Sequence, residues 1–122
     1  MTEVYLIEGI KGSGKSKRIH TLKEKYIKAG YKLTDSKNEK DWNTAMFVLE
    51  KEGQKIILNS GSDKKSIIVG FETFLSSHKD ATEVYTAIRP QQNNPRLNKW
   101  MKDALSILNI KSEKVYYLPE ES

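Results

Sequence analysis

Near its start, the chain carries a glycine-rich stretch with the composition of a phosphate-binding loop. Residues 9–16 read GIKGSGKS, which places Gly9, Gly14, Lys15 and Ser16 in the spacing G-x4-G-K-S. Glycines let a backbone wrap so that successive N–H groups point at one phosphate, while a lysine adds positive charge and a serine hydroxyl can bind Mg²⁺. The spacing therefore predicts a site for the phosphates of a nucleotide and their metal ion.

The sequence on either side fits the strand and helix that such a loop requires. Residues 3–10 form a short apolar run rich in β-branched and aromatic residues, which predicts a strand. Residues 13–29 carry apolar side chains at helical spacing, which predicts a helix that begins at the loop. The start of a helix contributes unpaired N–H groups and its positive dipole end. The residues expected to contact the nucleotide are Gly9, Lys11, Gly12, Ser13, Gly14, Lys15 and Ser16.

Apolar runs and helical patterns alternate along the rest of the chain. Four further strands are predicted at residues 31–34, 54–60, 83–89 and 114–119. Three further helices are predicted at residues 42–53, 66–77 and 95–108, the last with Asn94 as its N-cap and Pro95 in its first turn. Continuous apolar strands are typical of a parallel sheet covered on both faces. We predict an α/β fold, a three-layer sandwich with a five-stranded, mainly parallel sheet, as one nucleotide-binding domain over residues 1–122.

The stretch YLIEGIKGSGKS at residues 5–16, together with this order of elements, resembles the P-loop nucleoside-triphosphate-binding proteins. Within them, it is most similar to the nucleoside and nucleotide kinase group. The resemblance implies that ATP or GTP binds with Mg²⁺ at the carboxyl edge of the sheet. It also implies that a phosphoryl group moves to a nucleotide acceptor, with Lys15 acting on the phosphates.

Phosphoryl transfer also needs an acid that helps to hold the metal. The apolar run at 54–60 ends in Asn59 and Ser60, and the nearest acid is Asp63. We therefore predict Ser16 and Asp63 as the metal residues. The alternative for Asp63 is that it complements the dipole of the following helix.

Cations must neutralise the charge that develops on a moving phosphoryl group. Besides Lys15, the candidates are Arg89, at the end of a predicted strand, and Arg96, in the first turn of the last helix. The alternative for both arginines is an ordinary surface position. Asp35 follows a predicted strand, where it would either contact an acceptor hydroxyl or serve as a turn residue.

The connections on either side of the last helix are too short for a substantial lid, so two functions stay open. The first is a Mg²⁺-dependent, kinase-like phosphotransferase or NTPase. The second is a nucleotide-binding regulatory module without efficient turnover, acting on a protein or nucleic-acid partner. A protein partner or a second copy of the chain would then cover the site. A packaging-type assembly ATPase would need a strand ending in consecutive acids, and the sequence contains none.

Composition narrows the classes of site and partner that remain. There is no cysteine, and the two histidines are far apart in sequence, so we expect neither disulfides nor a zinc site. A net charge of +5 suits nucleotides or nucleic acid, and equally a lysine-rich solubilising surface. No apolar run approaches bilayer length, and residues 1–12 lack the basic start of a signal peptide. We therefore expect a cytoplasmic protein without a membrane partner.

Overall fold

The computed structural model describes residues 1–118, which form six strands and three helices. In chain order these are β1 (Thr2–Glu8), α1 (Lys15–Lys28), β2 (Lys32–Lys37), β3 (Met46–Lys51), β4 (Gln54–Asn59), α2 (Lys65–Ser76), β5 (Glu83–Ile88), α3 (Pro95–Leu105) and β6 (Ile110–Tyr117). No helix in this part of the chain has both the length and the apolar character needed to cross a membrane.

The six strands form one mixed sheet in the order β2-β3-β4-β5-β1-β6. Strands β4, β5, β1 and β6 run parallel to one another, whereas β3 runs antiparallel to both β2 and β4. Parallel pairing aligns the carboxyl ends of β1, β5 and β4 at one edge of the sheet. The loop that follows β1 therefore opens at the same edge as the segments that follow β4 and β5.

The sheet is covered on both faces, which explains why its inner strands read as continuous apolar runs. Helices α2 and α3 pack on one face, where Val48 and Ile57 contribute to the core. Helix α1 packs on the other face, against residues that include Phe47 and Ile56. Because side chains alternate along a strand, neighbouring residues of β3 and β4 supply the two opposite cores.

The predicted five-stranded, mainly parallel sheet with four helices is wrong, because residues 42–53 are not helical. They contain β3, which forms an antiparallel hairpin with β4. The turn residues Glu52 and Gly53 have φ angles of 48° and 83°, as a tight hairpin turn of primed type requires. A short apolar run such as MFVL fits a buried strand as well as a helix, and here pairing with β4 decides.

Other predicted elements are found with shifted bounds. The strand predicted at 31–34 corresponds to β2, but it lies antiparallel at the edge of the sheet. The strand predicted at 114–119 corresponds to β6, which begins at Ile110, while Pro119 lies outside the described residues. The early start of β6 leaves only residues 106–109 between α3 and β6. Within residues 1–118, the connections around α3 are accordingly short, as the sequence predicts.

The predicted start of the last helix is confirmed. The Asn94 side chain accepts a hydrogen bond from the Leu97 backbone N–H at 3.1 Å, and Pro95 is the first helical residue. This cap fixes the position at which the chain turns into α3 after β5.

Two glycine substitutions test the hairpin. Alanine at Gly53 must adopt the left-handed backbone, so Gly53→Ala lowers the free energy of unfolding by about 1–2 kcal/mol. The matched control is Gly70→Ala within α2, where an added Cβ has no neighbour within 4 Å. It raises the free energy of unfolding by up to about 1 kcal/mol, because alanine favours helix. Urea denaturation measures both, and stabilisation by Gly53→Ala would contradict the hairpin.

Candidate functional site

The loop between β1 and α1 is folded tightly around its glycines. Gly12 and Gly14 have φ angles of 82° and 100°, in the left-handed region that glycine adopts without strain. Gly9 is needed for a different reason, because a Cβ there would lie 2.1 Å from the Ser13 Oγ. The loop ends with Gly14 as the N-cap of α1, which leaves backbone N–H groups of the first helical turn without helical partners.

Lys15 turns its side chain back into this loop. Its Nζ donates hydrogen bonds to the carbonyl oxygens of Gly9 at 2.7 Å and Ile10 at 2.9 Å, and the residue is only 6% exposed. Burial lowers the pKa of the ammonium below its ordinary value, with Asp63 opposing the shift and Arg89 adding to it. A positive charge is therefore held inside the loop at a cost in desolvation.

One hydroxyl in the loop is buried without a partner. The Ser13 Oγ has no hydrogen bond within the described residues, although buried hydroxyls are normally paired. Ser16, in the first turn of α1, is partly exposed and lines the neighbouring cleft. The loop thus brings together a buried cation, an unpaired hydroxyl and the first N–H groups of a helix.

A cleft of about 660 Å³ opens beside the loop, within the size range of small-molecule sites. The wall opposite the loop is formed by residues 41–44, which precede β3, and residues 60–64, which follow β4. The predicted contact residues that line it are Lys11, Gly12, Gly14, Lys15, Ser16 and Asp63. Gly9 and Ser13 shape the loop without lining the cleft.

Asp63 lines the cleft and pairs with Arg89, which is not among the lining residues. The Arg89 Nη1 lies 3.1 Å from the Asp63 Oδ1, and the guanidinium also donates two hydrogen bonds to the Asn93 Oδ1. Arg89 is further fixed by its own carbonyl oxygen, which accepts a hydrogen bond from the Asn98 side chain at 2.8 Å. The Arg89 side chain is 13% exposed and that of Asp63 42%, so the carboxylate remains accessible.

Asn59 occupies the end of β4, where phosphoryl transfer would call for a metal-binding acid. It is fully buried, and its Nδ2 donates to the carbonyl oxygen of Gly61 at 2.8 Å and to the Thr86 Oγ1 at 2.9 Å. The bond to Thr86 joins the end of β4 to β5. In residues 1–118, no three His, Cys, Asp or Glu side chains form a metal-binding group. A metal held here would depend on few protein ligands.

Two other predicted positions lie outside the cleft. Arg96 is exposed in the first turn of α3 and is not among the lining residues. Asp35, on β2, pairs with His78, whose Nε2 lies 2.7 Å from the Asp35 Oδ2. This contact lowers the pKa of the Asp35 carboxyl. Asp35 is therefore engaged elsewhere than at the predicted acceptor position.

The sequence prediction missed the wall formed by residues 41–44, because it placed residues 42–44 in a helix. Trp42 lines the cleft and is 54% exposed, and its ring stacks on the buried His20 of α1 at a centroid distance of 3.6 Å. Two signals in the sequence favour a loop followed by a hairpin. The first is the polar run before Trp42, and the second is Gly53, a turn residue between two apolar runs.

Comparisons of this chain with protein-family models, with curated proteins and with solved structures give no match. Conclusions about its function accordingly rest on the residues and geometry of the cleft.

The desolvation of Lys15 predicts that Lys15→Met stabilises the ligand-free protein. Because the folded-state pKa is lowered, the penalty is present while Lys15 is charged and shrinks as pH rises through that pKa toward 10.5. The variant should have the larger free energy of unfolding at pH 7, and the difference should narrow at alkaline pH. Urea denaturation measures this, with Lys28→Met at the exposed end of α1 as the control. A less stable Lys15→Met would mean that the two loop hydrogen bonds outweigh desolvation.

Proposed function

We propose that the chain binds the phosphate chain of a nucleoside triphosphate, ATP or GTP, together with Mg²⁺. The observation that carries this proposal is the buried Lys15 ammonium, enclosed by a loop with left-handed glycines at the start of a helix. A bound phosphate offers oxygens that replace the Gly9 and Ile10 carbonyls as acceptors for Lys15. It also offers acceptors to the first N–H groups of α1.

The donor set of the cleft fits Mg²⁺. This ion prefers oxygen ligands, keeps several waters, and is usually held by one or two protein groups plus the phosphates themselves. Ser16 and Asp63 supply a hydroxyl and a carboxylate on the lining of the same cleft. Bound Mg²⁺ would neutralise phosphate charge, while Asp63 would act on the ion through its exposed carboxylate.

Among the two functions that the sequence leaves open, we favour the nucleotide-binding module. The Asn59 side chain is committed to three hydrogen bonds and carries no charge at the end of β4. The connections around α3 are too short for a lid that excludes water. A partner protein, a nucleic acid or a second copy of the chain would then respond to the bound nucleotide. The proposal includes a cytoplasmic location for the protein.

Phosphoryl transfer is the second candidate, and Arg89 favours it. Its guanidinium is held by Asn93 and Asp63, and it also lowers the pKa of the Lys15 ammonium. A fixed guanidinium can stabilise charge that develops on a moving phosphoryl group, with water or a nucleotide as acceptor.

Lys15→Met should abolish the rise in melting temperature that ATP or GTP with Mg²⁺ produces in the wild type, because the enclosed charge is lost. Lys28→Met makes the same chemical change at the far end of α1 and should keep the full rise. Isothermal titration calorimetry gives the corresponding affinities. Unchanged binding by Lys15→Met would refute the proposed site.

Asp63→Asn should weaken the Mg²⁺-dependent part of triphosphate affinity by about 10- to 100-fold, as loss of a supporting metal contact does. Arg89→Met breaks the same ion pair from the other side and should leave the Mg²⁺ dependence intact. Equal effects of the two variants would mean that Asp63 acts only through its ion pair with Arg89.

Phosphate release in the same samples distinguishes a binding module from an enzyme. Turnover that Arg89→Met abolishes supports phosphoryl transfer.

A further inference from the structure

The wall opposite the phosphate loop carries an aromatic side chain that phosphate binding does not use. Trp42 lines the cleft together with Lys15 and is 54% exposed, so a large aromatic ring lies open to solvent beside several cations. Among the described residues, His20 is the only aromatic residue whose ring contacts the indole. One side of the indole is therefore supported by protein, and the side chain remains largely open to solvent.

Trp42 is held firmly on its supported side. The indole and the His20 imidazole lie parallel, with an interplanar angle of 5°, and His20 rests edge-on against Phe47 at 5.5 Å. The His20 Nε2 donates to the Trp42 carbonyl oxygen at 2.8 Å, and the Ser60 hydroxyl lies 3.1 Å from the same oxygen. Helix α1 and the end of β4 thus fix both the backbone and the ring of Trp42.

The position of this stack suits a molecule whose phosphates lie in the loop. His20 follows Lys15 by five residues on α1, which corresponds to about 7.5 Å along the helix axis at 1.5 Å per residue. A cleft of about 660 Å³ has room for a heteroaromatic ring as well as phosphates. Cations at one end and a rigid aromatic plane at the other match the two halves of a nucleotide.

We propose that Trp42 is a stacking platform for the base of a nucleotide bound in this cleft. This inference rests on the proposed function, because the loop holds the phosphates that bring the base within reach. Every nucleobase has a π face, so the platform accepts any base without contacting its hydrogen-bonding edge. It favours purines, because their larger rings stack over more area. The base has two sources: the triphosphate bound in the loop, or a second nucleotide that acts as acceptor or effector.

The test compares a nucleoside triphosphate with inorganic tripolyphosphate, which has the charge but no base. Trp42→Ala should weaken the affinity for ATP or GTP by about 5- to 150-fold, equivalent to about 1–3 kcal/mol of stacking. It should leave the affinity for tripolyphosphate unchanged. Trp42→Phe should retain most of the nucleotide affinity, and circular dichroism checks that both variants fold. Trp100→Phe, at the other tryptophan, is the matched control and should bind as the wild type does.

Fluorescence in the Trp100→Phe background, where Trp42 is the sole tryptophan, identifies the source of the base. Quenching by the triphosphate alone, with the affinity loss above, assigns the stacked base to that ligand. The second nucleotide is indicated instead when a nucleoside monophosphate quenches Trp42 in protein saturated with tripolyphosphate. In that case, Trp42→Ala should weaken monophosphate binding by a similar factor and leave triphosphate binding unchanged. Either result supports the platform.

Two further outcomes separate the two proposals. If tripolyphosphate and triphosphates both fail to bind the wild type, the proposed function itself fails. If they bind but neither nucleotide quenches Trp42 and Trp42→Ala binds both as tightly as the wild type, only the stacking platform is overturned. Quenching by a single-stranded oligonucleotide and by no free nucleotide would also overturn it, in favour of nucleic-acid binding.

Discussion

The parallel pairing of β5 with both β1 and β4 is the constraint on which the candidate site depends. Strand β5 lies between the two, so the carboxyl ends of all three open at one edge. The buried hydrogen bond from Asn59 to Thr86 ties β4 to β5 at that edge. Because of this arrangement, Lys15 and Asp63, which are distant in sequence, line one cleft, and Arg89 pairs with Asp63.

The sequence allows the loop and its flanking elements to be predicted, because their signals are local. A G-x4-G-K-S spacing between an apolar run and a helical pattern leaves little freedom, and Asn94 with Pro95 fixes a helix start in the same way. The hairpin at residues 46–59 is different. Its apolar run suits two secondary structures, and the choice is made by pairing with the neighbouring strands and by burial of both faces. That error hid Trp42, which the sequence alone left without a role.

Lys15 illustrates how a buried charge opposes stability. An ammonium group enclosed by its own loop loses hydration, and two backbone carbonyls replace only part of it. A phosphate chain would supply the missing negative charge, so the same burial that costs stability in the free protein raises the gain from an anionic ligand. Asn59 is the opposite case, because this uncharged amide at the end of β4 satisfies its hydrogen bonds within the protein.

The β3–β4 hairpin has a consequence for how recognition is encoded along the chain. Met46 pairs with Asn59, so the segment before β3 and the segment after β4 emerge side by side and form the wall opposite the loop. One continuous stretch, residues 41–64, therefore carries this entire wall, while the phosphate loop belongs to a separate stretch. Under the proposed function, the sequence of residues 41–64 can therefore change ligand preference while β1, α1 and the charge between them stay as they are.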